Sequence, residues 1–283
     1  MIKEMIKLAL IPAGGLGIHL LPLTRAFPKE LFPILGKPVI EHVIDNVKSC
    51  GIQNIVFIAG HKKSALLDYI GDGNLFGINA SFVHQEFPSG PGDAILSGSI
   101  RIKRDSENQD FLVSFGDNIV NPYTEILETI NKHDKYKPLA TILVFSTTVP
   151  TRYGITLIKK INNVDRVVKI IEKPKNPEDQ ENFRIEDGSF LALSSIMVFN
   201  VRIFDYLRQT NKDLDNRLQI ADALSKAIEN GEQVIAHKLT GQFIDVSEWD
   251  VLWEIRKYYR NLTDEELSKI IDERNQLKRK LGW

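Results

Sequence analysis

The chain has 283 residues, of which 43% are hydrophobic and 26% charged, and its formal net charge is −1. These values are typical of a globular protein with one large α/β domain or two small ones. The balanced charge argues against a nucleic-acid partner, and no apolar run approaches a membrane span. A single cysteine, Cys50, excludes an internal disulfide and indicates a reducing, cytoplasmic location.

The first half of the chain predicts alternating strands and helices. Strand-length apolar runs lie at residues 6–11, 54–59, 80–84, 111–115 and 139–148. The segments between them predict helices at residues 39–51, 64–69, 92–104 and 121–132. This alternation predicts an α/β fold of the Rossmann-like kind, with a mixed, mostly parallel sheet and helices on both faces. In such sheets the ligand binds beyond the carboxyl ends of the strands.

The second half predicts fewer helices. A hairpin around Asn162-Asn163 is followed by a strand at 189–200, a helix at 218–230 and a strand at 234–239. Because no linker is visible, we expect one domain over residues 1–261, with a first half at 1–150 and a second at 151–261.

The remaining residues, 262–283, predict a C-terminal helix that opens with the capping-box form Thr263-x-x-Glu266. Its apolar residues lie along one side of the predicted helix. This helix either packs on its own subunit or forms a dimer contact. We expect the protein to be a homo-oligomer, either a dimer or a tetramer.

A glycine-rich loop follows the first predicted strand, at Ala13, Gly14, Gly15 and Gly17. Glycine lets the backbone turn tightly and present its N–H groups to a ligand, and a strand leading into such a loop commonly holds phosphate. The loop continues through several prolines and adds the positive charges of Arg25, Lys29 and Lys37. The stretch therefore predicts a nucleoside triphosphate site.

Other site classes have less support. Leu20 stands where the dinucleotide fingerprint G-x-G-x-x-G needs its third glycine, which disfavours a nicotinamide oxidoreductase. The Gly-Lys-Ser/Thr of a P-loop is missing from this loop, and no Gly-x-Ser-x-Gly elbow is present. The six histidines show no metal-ligand spacing.

The full stretch resembles the signature of the sugar-1-phosphate nucleotidyltransferases, G-x-G-T-R-x-x-P-x-T-x-x-x-P-K-x-x-x-P-x-x-x-K-P. It matches at Gly15, Gly17, Pro22, Thr24, Pro28, Lys29, Pro33, Lys37 and Pro38. The triplet Pro28-Lys29-Glu30 is most similar to the prokaryotic UTP–glucose-1-phosphate uridylyltransferases within this family. The chain departs from the signature where Ile18 replaces threonine and His19 replaces arginine.

The resemblance, which extends over residues 6–253, implies a fold of the nucleotide-diphospho-sugar transferase type and a role for each matching position. Lys29 would contact the transferred phosphates, and His19 would stand at the catalytic arginine's position. Asp117 and Asp245 would hold Mg²⁺, although Ser247 stands where the family has glycine. The remaining implied contacts are with the nucleotide (Ala13, Gly14, Gly15, Gly17, Gln85 and Gly90) and with the sugar phosphate (Gly154, Glu172 and Lys173).

The implied reaction joins UTP or dTTP to a sugar-1-phosphate, with glucose-1-phosphate the default, and releases pyrophosphate. His19 leaves three alternatives open, because histidine is at most partly charged at neutral pH whereas arginine is always charged. His19 could be a weaker phosphate ligand in a working enzyme, or the enzyme could be slow. The third alternative is a nucleotide-binding paralogue that regulates an active partner.

Overall fold

The computed structural model describes residues 6–34, 36–60, 63–102 and 109–247, with isolated positions at 249, 263, 265, 268 and 272. The predicted C-terminal helix at 262–283 therefore lies outside the continuously described residues. No helix within the described ranges is long and apolar enough to cross a membrane.

Strands from the first half form the parallel part of the central sheet. They are β1 (Leu8–Ala13), β4 (Asn54–Ala59), β5 (Asn79–His84) and β6 (Asp110–Ser114). Their order in the sheet is β5-β4-β1-β6. The short strands β2 (Pro33–Ile34) and β3 (Lys37–Pro38) pair with each other outside this sheet.

The remaining strands extend the same sheet, mostly in the antiparallel sense. They are β8 (Ala140–Thr147), which ends the first half, and four strands of the second half: β9 (Gly154–Ile161), β10 (Val164–Glu172), β11 (Phe190–Asn200) and β12 (Val234–Lys238). The long strand β11 runs antiparallel to β6 and β8, and so joins the two parts. The order continues as β6-β11-β8-β12-β10-β9, and β9 also pairs with β11. The predicted hairpin at Asn162-Asn163 is confirmed as β9–β10.

Helices cover both faces of the sheet because successive strand residues point to opposite sides. One face packs against α1 (Val39–Ser49), α2 (Lys63–Ile70) and α4 (Thr124–Tyr136), and the other against α3 (Pro91–Gly98), α6 (Ile203–Gln209) and α7 (Ile220–Glu229). Leu10 enters the second core and its neighbour Ile11 the first. The predicted α/β class, with a mixed sheet and helices on both faces, is confirmed.

Two local predictions differ from the structure. Asn121 does not cap a helix: it ends β7 (Asn118–Asn121), and α4 begins at Thr124. The partner of β7 is β13 (Gln242–Asp245), which lies too far along the chain for local pattern to indicate the pairing. Helix α6 and the short helix α5 (Pro177–Glu181) are further elements that the sequence pattern did not predict.

Candidate active site

A cleft of about 670 Å³ opens beyond the carboxyl ends of β1, β5 and β6. Its opposite wall comes from the second half of the chain, at β9, β10, β11 and the start of α7. The edge of the sheet at which a ligand was expected is therefore the edge that carries the cleft. The predicted site residues that line it are Gly14, Gly15, His19, Lys29, Gln85, Gly90, Asp117, Gly154, Glu172, Lys173 and Asp245.

Two predicted nucleotide-binding residues, Ala13 and Gly17, are not among the lining residues. Ala13 ends β1 and is only 4% exposed. Gly17 accepts a hydrogen bond of 2.8 Å from the Thr24 hydroxyl through its carbonyl oxygen. Ala13 and Gly17 thus stabilise the backbone of the glycine loop and do not line the cleft.

Aromatic side chains on either side of Lys29 in sequence pack together and anchor the segment that carries it. The rings of Phe27 and Phe32 meet edge to face with centroids 5.0 Å apart, and Phe32 is buried. The Lys29 ammonium forms an ion pair with Asp117. Lys37 instead pairs with Asp45 of α1 at 2.5 Å and does not line the cleft.

The Lys29 ammonium is a fixed positive charge. Burial alone would lower its pKa, but the negative charges of Asp117, Glu30 and Asp245 together raise the pKa above its ordinary value. Lys29 therefore stays protonated throughout the physiological pH range. A permanent cation at this position can neutralise the charge of a bound phosphate.

Asp117 and Asp245 are brought together by the short β7–β13 pair. Asp245 lies opposite Asn118, whose side-chain amide donates to a carboxylate oxygen of Asp245 at 2.9 Å. The Val246 amide donates to the Asp117 carbonyl oxygen at 2.9 Å. Burial, and then the negative charge of Asp117, raise the pKa of Asp245.

The carboxylate pair fits a bound Mg²⁺. Two partly buried like charges close together are costly, and a divalent cation bound to both would relieve the repulsion. Among the described residues no group of three or more histidine, cysteine or acidic side chains is placed to hold a metal. A cation here would take its remaining ligands from phosphate oxygens and water, as Mg²⁺ does in nucleotide sites.

Glu30 is an acidic cleft residue to which the sequence analysis assigns no role of its own. It is 2% exposed, and its Oε2 atom has no hydrogen-bond partner among the described residues. Burial raises its pKa to about 7, against the attraction of Lys29. A glutamate in a loop is ordinarily exposed, so the sequence gives little sign that Glu30 is buried in the cleft. The one signal is its place in the triplet with Pro28 and Lys29.

The Gln85 side chain lies at the end of β5 and is 6% exposed. Its amide nitrogen donates to the Asp93 carboxylate at 2.6 Å. Gly90, which is predicted to contact the nucleotide, lies directly against the backbone of the loop that precedes α7. With φ of 98°, a Cβ at Gly90 would lie 2.7 Å from the Leu218 carbonyl oxygen. This glycine allows the loop before α7 to pass over it.

The sugar side of the predicted site gathers at the open end of the β9–β10 hairpin. Gly154 lies opposite Glu172, and the Lys173 ammonium is 3.7 Å from a Glu172 carboxylate oxygen. Burial raises the pKa of Glu172, whereas the charge of Lys173 acts to lower it. A carboxylate and an ammonium side by side can bind the hydroxyl and phosphate groups of a sugar phosphate.

Further lining residues are ones that the sequence analysis does not single out. β11 shifts register between Leu193 and Met197, and bulges of this kind redirect side chains beside sites. The Ser195 hydroxyl within this shift is buried without a hydrogen-bond partner among the described residues. These lining residues include Arg152, Ser194, Ser195, Arg217 and Gln219. No sequence motif marks them, since their place depends on the fold.

This arrangement, with a glycine loop, two lysines and several carboxylates on one cleft at the edge of an α/β sheet, is typical of proteins that bind phosphorylated ligands. A family profile described as "Nucleotidyl transferase" matches residues 8–261. The chain therefore belongs to the nucleotidyl transferase family, and the expectation of an enzyme of this family is confirmed.

Several proteins are moderately similar to this chain in sequence or structure. A UTP–glucose-1-phosphate uridylyltransferase from Staphylococcus epidermidis is 30% identical, over 86% of this chain and 88% of the relative. A glucose-1-phosphate thymidylyltransferase from Streptomyces griseus is 25% identical, over 95% and 70%. The structure of a UDP-glucose pyrophosphorylase complexed with UDP-glucose is similar with a TM-score of 0.78 and 25% identity, covering 91% of this chain and all of that one.

Proposed function

We propose that the chain is a sugar-1-phosphate nucleotidyltransferase that joins UTP or dTTP to glucose-1-phosphate, with Mg²⁺ as cofactor. The observation that carries the proposal is the convergence of Lys29, Asp117 and Asp245 with Glu172 and Lys173 on one cleft. The named activities of the relatives, uridylyl and thymidylyl transfer to glucose-1-phosphate, support the choice of substrates.

In the proposed reaction an oxygen of the sugar phosphate attacks the α-phosphorus in line, and the bond from that phosphorus to pyrophosphate breaks. The attacking phosphate is already anionic, so the reaction needs no strong general base. Catalysis then consists of alignment and charge neutralisation. Lys29 supplies a permanent positive charge on the nucleotide side, and Lys173 places an ammonium group beside Glu172 on the sugar side. Mg²⁺ bound at Asp117 and Asp245 would add further positive charge against the phosphates.

The expected rate of the reaction depends on His19. It is exposed and lines the cleft within the glycine loop, where it can reach a phosphate. Loss of a charge-assisted contact costs about 1.5–3 kcal/mol, and loss of a transition-state arginine can cost about 10³–10⁵ in rate. The alternative function, a regulatory paralogue that binds nucleotide with little turnover, follows from this substitution.

Pyrophosphate release from UTP or dTTP with glucose-1-phosphate and Mg²⁺ tests the proposal. We expect turnover by the wild-type chain and a higher kcat for His19→Arg. Lys29→Met should abolish turnover, whereas the matched variant Lys37→Met should retain it, because Lys37 pairs with Asp45 away from the cleft. Nucleotide binding without turnover in wild type and His19→Arg would select the regulatory alternative, and absence of nucleotide binding would reject both.

A cytoplasmic location and a homo-oligomeric state stay predictions. So does the division of residues 1–261 into a nucleotide-binding half and a sugar-binding half within one domain. Comparison of UTP with dTTP in the same assay decides which base the enzyme uses.

A further inference from the structure

The orientation of the Gln85 amide is fixed by its neighbour Asp93. A glutamine amide has a donating nitrogen and an accepting oxygen, and its hydrogen-bond partners determine which of the two faces each neighbour. A carboxylate only accepts hydrogen bonds. The Gln85 atom 2.6 Å from the Asp93 carboxylate is therefore the donating nitrogen.

This contact leaves the amide oxygen of Gln85 as an acceptor for a ligand. The side chain lines the cleft, and no described residue hydrogen-bonds to its oxygen. Asp93 is itself well placed to hold this arrangement, since it lies in the first turn of α3 and its carbonyl oxygen accepts from the Ser97 hydroxyl at 2.9 Å. Asp93 on α3 thus fixes the orientation of the Gln85 amide, so that its oxygen is available in the cleft as a hydrogen-bond acceptor.

We propose that Asp93 is a positioning residue for base selection: it holds the Gln85 oxygen toward the base, where it accepts from the N3–H of uracil or thymine. The inference rests on the proposed function, because it needs a pyrimidine nucleotide in the cleft. Cytosine has an unprotonated N3, so the same oxygen would face a second acceptor. The second amide hydrogen stays available to a carbonyl of uracil or thymine.

Asp93→Asn tests the proposal, because an asparagine can donate as well as accept and so frees the Gln85 amide to turn around. Binding of UTP, dTTP and CTP is measured by calorimetry on the full chain. We expect the ratio of UTP to CTP affinity to fall about tenfold, with CTP binding tightened and UTP binding weakened. Ser97→Ala, which removes the neighbouring bond in α3 but keeps the Asp93 carboxylate, should leave the ratio unchanged.

A double-mutant cycle with Gln85→Ala separates positioning from general damage. In the Gln85→Ala background, Asp93→Asn should no longer change the ratio. If Asp93→Asn does not fold, Asp93→Ser replaces it and carries the same expectation. Equal weakening of UTP and CTP, or an unchanged ratio with UTP still bound, overturns the role of Asp93 and leaves the proposed function standing. Failure of the wild type to bind any of the three nucleotides overturns both.

Discussion

Glu30 shows how strongly a single position in this cleft is constrained by its surroundings. Its carboxyl group is buried beside Lys29 and within the field of Asp117, and one of its oxygens has no hydrogen-bond partner among the described residues. Burial favours the neutral acid, so the pKa rises from 4.5 to about 7. Between these two values the folded protein retains a proton that the unfolded chain has released.

Stability should therefore fall as the pH rises through this interval, by up to ~1.4 kcal/mol per pH unit. Glu30→Gln keeps the neutral form at every pH and removes this contribution. We expect the free energy of unfolding of Glu30→Gln to exceed that of wild type by more at about pH 8 than at about pH 5. Urea denaturation without metal or nucleotide measures it. Glu86→Gln, at an exposed loop position, should follow wild type at both pH values, and equal curves for all three proteins would contradict the prediction.

The residues that the sequence could indicate are those whose chemistry is tied to a local motif. Lys29 follows Pro28 in the glycine-loop signature, and Asp117 follows a buried strand, so both were predicted and both line the cleft. Asp93 was not predicted, since its role depends on a contact with Gln85 across a turn. Arg217 lines the cleft from the loop that passes over Gly90 before α7, a placement that no local motif indicates.

At the scale of elements, the junction of β9, β10 and α7 shapes the sugar side of the cleft. A Cβ at Gly154 of β9 would lie 3.0 Å from a carboxylate oxygen of Glu172 on β10, and 3.3 Å from Ala221 of α7. The strand pairing fixes both backbones, so the side chain of Glu172 would have to move. A single methyl group at this junction can thus displace the carboxylate without touching the nucleotide side.

Gly154→Ala is therefore expected to raise KM for glucose-1-phosphate about tenfold, equivalent to about 1.4 kcal/mol. The affinity for UTP should stay as in wild type, because Lys29 and Gln85 lie on the opposite wall. Steady-state kinetics at varied glucose-1-phosphate, with UTP binding by calorimetry, measures the two effects. Glu172→Gln should reproduce the same pattern. A matched loss of UTP affinity in Gly154→Ala would show that the substitution disturbs the whole cleft.

The elements that the sequence predicted well are those with a strong local period. β4 and the β9–β10 hairpin appear where the sequence indicated, and β1 begins and ends two residues later than the apolar run at 6–11. The β7–β13 pair was not foreseen, because it joins segments more than a hundred residues apart and each strand is short. Yet this pair brings Asp245 close to Asp117, so the element that was hardest to predict positions the two proposed metal ligands.

For the whole molecule, strands from both halves share one sheet, and both halves line the cleft. A ligand that binds only the folded cleft stabilises the entire chain, by ~2.7 kcal/mol at about 100 times its Kd. The charge of Asp245 should lower the stability of the ligand-free protein and raise the stability of the ligand-bound protein. Without ligand its charge is buried next to Asp117, which raises its pKa. With the proposed Mg²⁺ and a nucleotide bound, the same charge would become favourable.

Asp245→Asn should therefore melt at a temperature equal to or above that of wild type in the absence of ligand, but gain much less from UTP with Mg²⁺. Chelation of the metal by EDTA should lower the melting temperature of UTP-bound wild type and leave the variant nearly unchanged. Scanning calorimetry in the four conditions measures these differences, and a single transition is expected throughout. Asp68→Asn, which neutralises an exposed aspartate on α2, serves as the matched control and should retain the full response. An equal response to UTP and Mg²⁺ in Asp245→Asn and wild type would place the metal away from Asp245.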